Sequence, residues 1–306
     1  MFCYCLFVQR CVKATLFKFE KKSHKNICKK EEFVIEIRID DLSKKIREQR
    51  PIIHCITNAV TVNDCANILL AAGASPTMAH HPLEAAEITE GAAALVCNFG
   101  AIADYEAMLA AGMRAHELHH AIIVDPVGVS GSTYRRNQCL DYIAAVRPTC
   151  IRGNYSEIKA LLENCKTVTG VDAASEDQQA DGRDALIFEM EQYAAREQII
   201  LTASGETDII TDGHKTYLCK NGDPLMARIT GAGCMSSVML GAFLGVDASV
   251  ESAAACCAFM GIAGELAAER THACGGGTMT FRDRLIDAVS LMDSENVETR
   301  TRIFEK

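Results

Sequence analysis

Short apolar runs, four to seven residues long, recur along this chain between stretches of helical spacing, and this alternation constrains the fold most. Pro51–Thr57, Ser75–Ala79, Ala93–Asn98, Ala121–Asp125, Thr149–Arg152, Gln198–Ala203, Asp208–Thr211 and Thr216–Cys219 read as strands. Asp41–Gln49, Asn63–Ala72, Pro82–Glu90, Ala103–Leu118, Tyr134–Val146, Tyr155–Glu163 and a segment around Asp184–Arg196 read as helices. Gly73 is expected to close the second helix, and Pro82 to open the third at its first turn. Two all-apolar helices follow, from Cys234 and from Ser252, and a last one spans Phe281–Asp293. Buried strands alternating with helices mean a mainly parallel sheet covered on both faces, a three-layer α/β/α architecture. No repeat, low-complexity block or linker interrupts the chain after residue 50, so residues 34–306 are expected to form a single domain.

Composition narrows the class of function. Of 306 residues, 49% are hydrophobic and 23% charged, which suits a soluble globular chain with a sizeable core. The 15 cysteines are scattered through apolar runs without C-x-x-C pairing. That pattern points to buried thiols in a reducing compartment, the cytoplasm, and away from disulfides or zinc ribbons. No apolar run reaches the roughly 18 residues of a membrane span. Residues 1–30 carry a net charge of +7 and the rest of the chain −16, and an acidic body argues against nucleic acid as the main partner. Residues 1–33 lack periodicity and are set apart as a disordered N-terminal extension.

In a parallel sheet, ligands bind beyond the carboxyl ends of the strands, so the residues just after each strand carry the functional signal. Here they are Thr57-Asn58, Asn98-Phe-Gly100, Asp125-Pro-Val-Gly128, Arg152-Gly-Asn154, Thr202-Ala-Ser-Gly205 and Thr230-Gly-Ala-Gly-Cys234. In the last, Thr230 reads as an N-cap, Gly231 and Gly233 free the backbone, and a buried helix begins with the stripe Met235, Val238, Met239, Ala242, Phe243 and Val246. Unpaired amides at a helix N-terminus make an anion site, usually for phosphate. Cys234 stands at that spot, where a thiol is expected to shift towards thiolate. A tight turn holding a small buried cysteine explains the same residues equally well.

Asp125 leaves a buried strand, so it is either a carboxylate that holds Mg²⁺ through waters or an Asp-Pro turn with a local hydrogen bond. Asn154 and Glu157 have capping-box spacing, which competes with a role for Glu157 as a metal-organising acid. Arg152 is either a planar phosphate clamp or a surface charge. His116-Glu-Leu-His-His120 matches the zinc-protease pattern, but a strand begins at Ala121, so the helical register that brings two such histidines together does not persist. Neither a Walker P-loop nor a Rossmann fingerprint occurs.

Taken together, Pro51-Ile-Ile-His-Cys-Ile-Thr-Asn58, Gly73-Ala-Ser-Pro-Thr-Met-Ala-His80, Asp125-Pro-Val-Gly128, Ile151-Arg-Gly-Asn-Tyr-Ser-Glu-Ile158 and Thr230-Gly-Ala-Gly-Cys234 resemble the hydroxyethylthiazole kinase family of the ribokinase-like superfamily, from about Pro51 to Val289. In the wider superfamily an aspartate usually takes the place of Cys234. The resemblance implies ATP-dependent phosphorylation of the primary alcohol of 4-methyl-5-(2-hydroxyethyl)thiazole in thiamine salvage. It implies substrate contacts at Met78, Asn58 and Gly231, a catalytic group of Gly231, Gly233 and Cys234, ATP contacts at Arg152 and Ser204, and Mg²⁺ organised by Asp125 and Glu157. It also implies a homotrimer with sites between subunits. Two stretches depart from the family pattern: Gly275-Gly-Gly-Thr-Met279, and Thr202-Ala-Ser-Gly205.

On this reading the amides of Gly231–Cys234 take the charge that develops on the transferred phosphoryl group, and Cys234 accepts the hydroxyl proton late. The competing functions are a sister kinase acting on hydroxymethylpyrimidine or another small alcohol, a zinc hydrolase using His116 and His120, and a non-catalytic nucleotide-binding module.

Overall fold

The computed structural model describes residues 38–163 and 180–306, with no side-chain description for Ala180 and Asp181. Residues 1–33, set apart from the sequence, lie outside the described residues.

The strands are β1 (Ile52–Ile56), β2 (Ser75–Thr77), β3 (Ala94–Asn98), β4 (Ala121–Asp125), β5 (Cys150–Asn154), β6 (Ile200–Ser204), β7 (Asp208–Thr211), β8 (Thr216–Cys219) and β9 (Ile303–Glu305). They form one sheet in the order β2-β1-β3-β4-β5-β6-β7-β8-β9. The pairings from β2 to β6 are parallel and those from β6 to β9 antiparallel. From β1 the chain goes to β2 on one side and returns to β3 on the other. The gap between β1 and β3 is therefore the topological switch point, where an open α/β sheet leaves a crevice at its carboxyl edge.

The helices are α1 (Ile39–Gln49), α2 (Val62–Ala72), α3 (Ala85–Glu90), α4 (Tyr105–Glu117), α5 (Thr133–Val146), α6 (Tyr155–Leu162), α7 (Ala180–Glu197), α8 (Ala232–Val246), α9 (Val250–Ala273), α10 (Thr278–Ser290) and α11 (Ser294–Arg300). Strand side chains alternate between two cores, as a pleated strand requires. Ile53, Cys55, Ala94, Val96 and Ile123 join α1, α2, α8, α9 and α10 in one. Leu95, Cys97, Ile122, Val124 and Ile151 join α4, α5, α6 and α7 in the other. This is the expected three-layer fold.

Several boundaries differ from the sequence reading. The second strand stops at Thr77, and Pro82 lies in a turn ahead of α3. A 3₁₀ segment, Phe99–Asp104, precedes α4, where the long helix was expected to start at Ala103. The last expected helix ends at Ser290, and α11 and β9 follow it unforeseen. β9 is three residues long, too short to show a period, and is recruited by antiparallel pairing with β8. Helix α9 is long and apolar enough by composition to cross a membrane, contrary to the sequence count, but 83% of its most apolar window is buried within the fold.

Candidate active site

Because the strands are laid side by side, the residues at their carboxyl ends form a row. Asn58 follows β1, Asn98 ends β3, Asp125 ends β4, Arg152 and Asn154 lie at the end of β5, and Ser204 ends β6. Register pairs Asn98 with Asp125 and Asn154 with Ser204. The N-terminus of α8 meets this row, and its position is fixed from below. A Cβ on Gly241 would stand 2.6 Å from the Val96 Cγ2 and 3.1 Å from the Ile53 Cγ2, so the helix rests directly on β1 and β3.

Gly231, rather than the expected Thr230, is the N-cap of α8. It has φ of +87°, the left-handed region that favours glycine, and a Cβ there would approach the Thr61 Cγ2 to 2.8 Å. No side chain caps the helix, so its leading amides keep their donors for a ligand. Gly233 accepts at its carbonyl from Arg152 Nη1 at 3.1 Å, and a Cβ on Gly233 would lie 2.9 Å from that nitrogen. The arginine's approach thus requires the second glycine.

Cys234, half-buried at the third position of α8, is the meeting point of the switch-point residues. Asn98 Nδ2 donates to its sulfur at 3.2 Å and Asn58 Nδ2 at 3.4 Å. Asn98 Nδ2 also donates to Asp125 Oδ2 at 2.8 Å, and Ser237 Oγ donates to the same oxygen at 2.7 Å. Asn58, Asn98, Asp125, Cys234 and Ser237 are therefore one hydrogen-bonded group. The expectation of a lowered Cys234 pKa is corrected: burial first, then the charge of Asp125, push the thiol up. The donors on its sulfur act in the opposite sense but do not prevail.

Asp125 is 1% exposed, and burial raises its pKa while Arg152, Ser237 and Asn98 counter the shift. Glu157 is buried too. Burial, with the Asp125 charge second, raises it to about 7. Both readings of Glu157 survive: Oε2 accepts from the Asn154 amide at 2.9 Å, and Asn154 Oδ1 accepts from the Glu157 amide at 2.9 Å, a complete capping box. Its other oxygen, Oε1, accepts from the Gly128 amide at 3.0 Å, so the acid also ties α6 to the turn after β4.

On the β6 side, Ser204 Oγ donates to the Gly153 carbonyl at 3.3 Å. Asp208, which the sequence reading passed over, is raised to about 6, chiefly by burial and against the hydrogen bond from the Gly205 amide and the pull of Arg152. Met78 lies just past β2, half-buried against the α8 side of the core. No hydrogen bond links it to the Cys234 group, and its loop is held instead by His54. That imidazole, buried and biased to its neutral form, donates from Nε2 to the Ala79 carbonyl at 2.8 Å and meets Thr89 Oγ1 at Nδ1 at 2.8 Å. The tautomer follows because a carbonyl only accepts.

The zinc reading fails locally: α4 ends at Glu117 and His119 has φ of +56°, so His116 and His120 share no helical face. Among the described residues, no group of three or more His, Cys, Asp or Glu is placed to hold a metal. Two buried carboxylates, each raised by burial and Glu157 further by the charge of Asp125, do match what Mg²⁺ needs, since that ion keeps several waters and takes one or two protein carboxylates plus substrate phosphates.

The role of Asn98 was invisible in the sequence beyond its place at a strand end. Ser237 carried a faint signal, as one of two adjacent hydroxyls, Ser236 and Ser237, in an otherwise apolar helix.

Residues 43–295 match the model of the "Hydroxyethylthiazole kinase family". Hydroxyethylthiazole kinase of Clostridium beijerinckii is 39% identical over 274 residues, covering 89% of this chain and 98% of its own. That of Nitratidesulfovibrio vulgaris strain DP4 is 42% identical over 258 residues, covering 82% and 94%. The solved hydroxyethylthiazole kinase of Pyrococcus horikoshii OT3 superposes with a TM-score of 0.77 at 29% identity, covering 88% of this chain and 98% of that one. A ribokinase-like superfamily protein of Enterococcus faecalis V583, 10% identical with a TM-score of 0.54, shares the fold, covering 87% and 98% of the two chains.

Proposed function

The chain belongs to the hydroxyethylthiazole kinase family, and from that premise we propose that phosphoryl transfer takes place at the N-terminus of α8, between the Asn98–Cys234–Asp125 group and Arg152. It phosphorylates the primary alcohol of 4-methyl-5-(2-hydroxyethyl)thiazole with ATP in thiamine salvage. The observation that carries the site is an uncapped helix N-terminus, flanked on one side by a thiol and a buried carboxylate and on the other by a guanidinium.

Phosphoryl transfer needs positioning and charge neutralisation more than covalent chemistry. The amides of Gly231 to Cys234 face the transferred group and stabilise its equatorial charge. Arg152, anchored on the Gly233 carbonyl, and Ser204 take the nucleotide side, while Met78 and the loop behind it take the thiazole side. Asp125 and Glu157 are the residues that would hold Mg²⁺, which when bound neutralises phosphate charge. As the alcohol oxygen bonds to the γ-phosphorus and ADP leaves, the hydroxyl proton passes to the Cys234 sulfur. Because the thiolate is a minority form of a thiol raised by burial, its help is modest.

The reading extends to assembly and compartment. A homotrimer with sites between subunits suits the exposed Val60 (75%) and Leu83 (90%) on the loops after β1 and β2, apolar surface that an assembly would cover. Ten described cysteines, all free, support a reducing compartment such as the cytoplasm.

The test is turnover of ATP and Mg²⁺ with the thiazole alcohol beside hydroxymethylpyrimidine. Phosphorylation of the thiazole is expected, and Cys234→Ala should lower kcat by about 10²-fold, the low end for a general base, with little change in the KM for ATP. Turnover confined to the pyrimidine alcohol would transfer the chain to the sister activity. Full activity in Cys234→Ala would remove the cysteine from the mechanism.

A further inference from the structure

The two carboxamides at the switch point have no hydrogen-bonding capacity left for a substrate. Asn98 Oδ1 accepts from the Gly100 amide at 2.8 Å and from Asn58 Nδ2 at 3.3 Å, while its Nδ2 donates to Asp125 and to Cys234. Asn58 Oδ1 accepts from the Val60 amide at 3.2 Å and from Thr61 Oγ1 at 3.1 Å, while its Nδ2 donates to Asn98 and to Cys234. A primary amide has two donors and two acceptor positions, and both side chains use all four.

Their orientation is also forced. A backbone N–H only donates, so the atom of each carboxamide facing Gly100 or Val60 is oxygen. Each NH₂ must then face the other way. For Asn98 that is towards Asp125 and the sulfur; for Asn58 it is towards Asn98 and the same sulfur. Two amides, each locked by main chain, converge with their donors on one atom.

We propose that Asn58 and Asn98 are paired positioning residues that hold the Cys234 sulfur as a hydrogen-bond acceptor, ready for the alcohol's proton. Asn58 thereby moves from the substrate-contact role that the family resemblance implies to a role exerted through the cysteine. The step proceeds from the minority thiolate, whose own proton has already left to solvent: the alcohol O–H bond breaks as the S–H bond forms, the O–P bond forms, and the bond from phosphorus to the ADP oxygen breaks. Beside the Thr61 hydroxyl, the N–H donors of Asn58 and Asn98 favour the charged form of the sulfur before the proton arrives, against the opposing effects of burial and Asp125. Asn98 extends the same control to the carboxylate, so one side chain sets the spacing of the thiol and the acid.

The inference rests on Cys234 acting at the reaction centre, and its test separates the two ideas. Asn98→Ser keeps an acceptor for the Gly100 amide, as in an ST-turn, and replaces the two N–H donors by a single hydroxyl on a shorter side chain, which cannot serve Asp125 and Cys234 together. Alkylation of Cys234 by iodoacetamide at pH 8, followed by peptide mass spectrometry, should slow at least about threefold, the lower end for one lost hydrogen bond. If Asn98→Ser does not fold, Asn98→Asp keeps the Gly100 bond and sets a carboxylate against the sulfur, and alkylation should slow further. An unchanged alkylation rate in the folded variant overturns the proposal, whatever the kinetics. In turnover, Asn98→Ser should lower kcat by about tenfold with the KM for ATP within about twofold, and the double variant with Cys234→Ala should be no more than about threefold worse than Cys234→Ala alone. Costs that multiply in full would mean that Asn98 does not act through the cysteine. Full turnover in Cys234→Ala would sink the catalytic reading while the alkylation result still judged the carboxamides.

Discussion

Glu157 shows how one side chain serves local structure and chemistry at once. A capping box alone leaves a glutamate exposed and ordinary, whereas here the acid is buried and accepts from two backbone amides, Asn154 and Gly128. Its pKa stands at about 7 against an ordinary 4.5, because burial and the Asp125 charge outweigh those two donors. The folded protein therefore binds this proton more tightly than the unfolded chain does. The stability this contributes is complete below 4.5 and is lost as pH rises through about 7. Without Mg²⁺, the Tm of the wild type should fall from pH 6 to pH 8, and that of Glu157→Gln should fall less. If Mg²⁺ is held here, adding it at pH 8 should raise the wild-type Tm and leave the variant unmoved. Identical pH profiles would mean that Glu157 does not titrate in this range; an equal response to Mg²⁺ in both would place the metal elsewhere. A glutamine is not the neutral replacement that the capping box alone suggests, since its NH₂ must face one of the two amides that the carboxylate accepts from.

At the scale of elements, the site is a consequence of how α8 seats on the sheet. Gly241 sits against Val96 and Ile53, two turns beyond Cys234, so the helix has no freedom to rise without lifting its N-terminus away from Asn98 and Arg152. Gly241→Val should therefore destabilise the protein by about 1–3 kcal/mol through overpacking. It should also lower kcat, although residue 241 is far along the helix from the chemistry. Thermal melts and steady-state kinetics on the same preparation check both, and a variant that loses stability at unchanged kcat would show that the N-terminus is held independently of the helix seat. The helix itself was legible in the sequence, because an unbroken apolar stripe needs burial on every side. Its cap was not: Thr230 has the right chemistry, but the turn needs a left-handed residue one position later, and only glycine fits beside Thr61. The strand-end positions were legible for the same reason as the strands. What joins them was not, since the bonds from Asn98 to Asp125 and Cys234 span 27 and 136 residues of chain.

At the scale of the whole molecule, the question is where the fold begins. The opposite charges of residues 1–30 and the remainder marked a boundary near residue 33, and the family match begins at residue 43, inside α1. Helix α1 is amphipathic, and Ile39 (1% exposed), Leu42 (6%) and Ile46 (1%) insert into the core shared with α8 and α9. Arg47 adds hydrogen bonds to the Val289 and Ser290 carbonyls at the end of α10. Losing buried aliphatic side chains of this size costs about 2–5 kcal/mol each, so three together approach the roughly 5–15 kcal/mol that holds a native domain folded. A protein starting at residue 34 should keep the wild-type Tm and turnover, whereas one starting at residue 50 should be insoluble or melt tens of degrees lower. If removal of residues 1–33 alone abolishes folding or activity, the extension contributes to the kinase fold and the boundary read from charge is wrong. Should the shorter protein still fold, α1 would be an attachment to the core and not part of it, which its three buried side chains argue against.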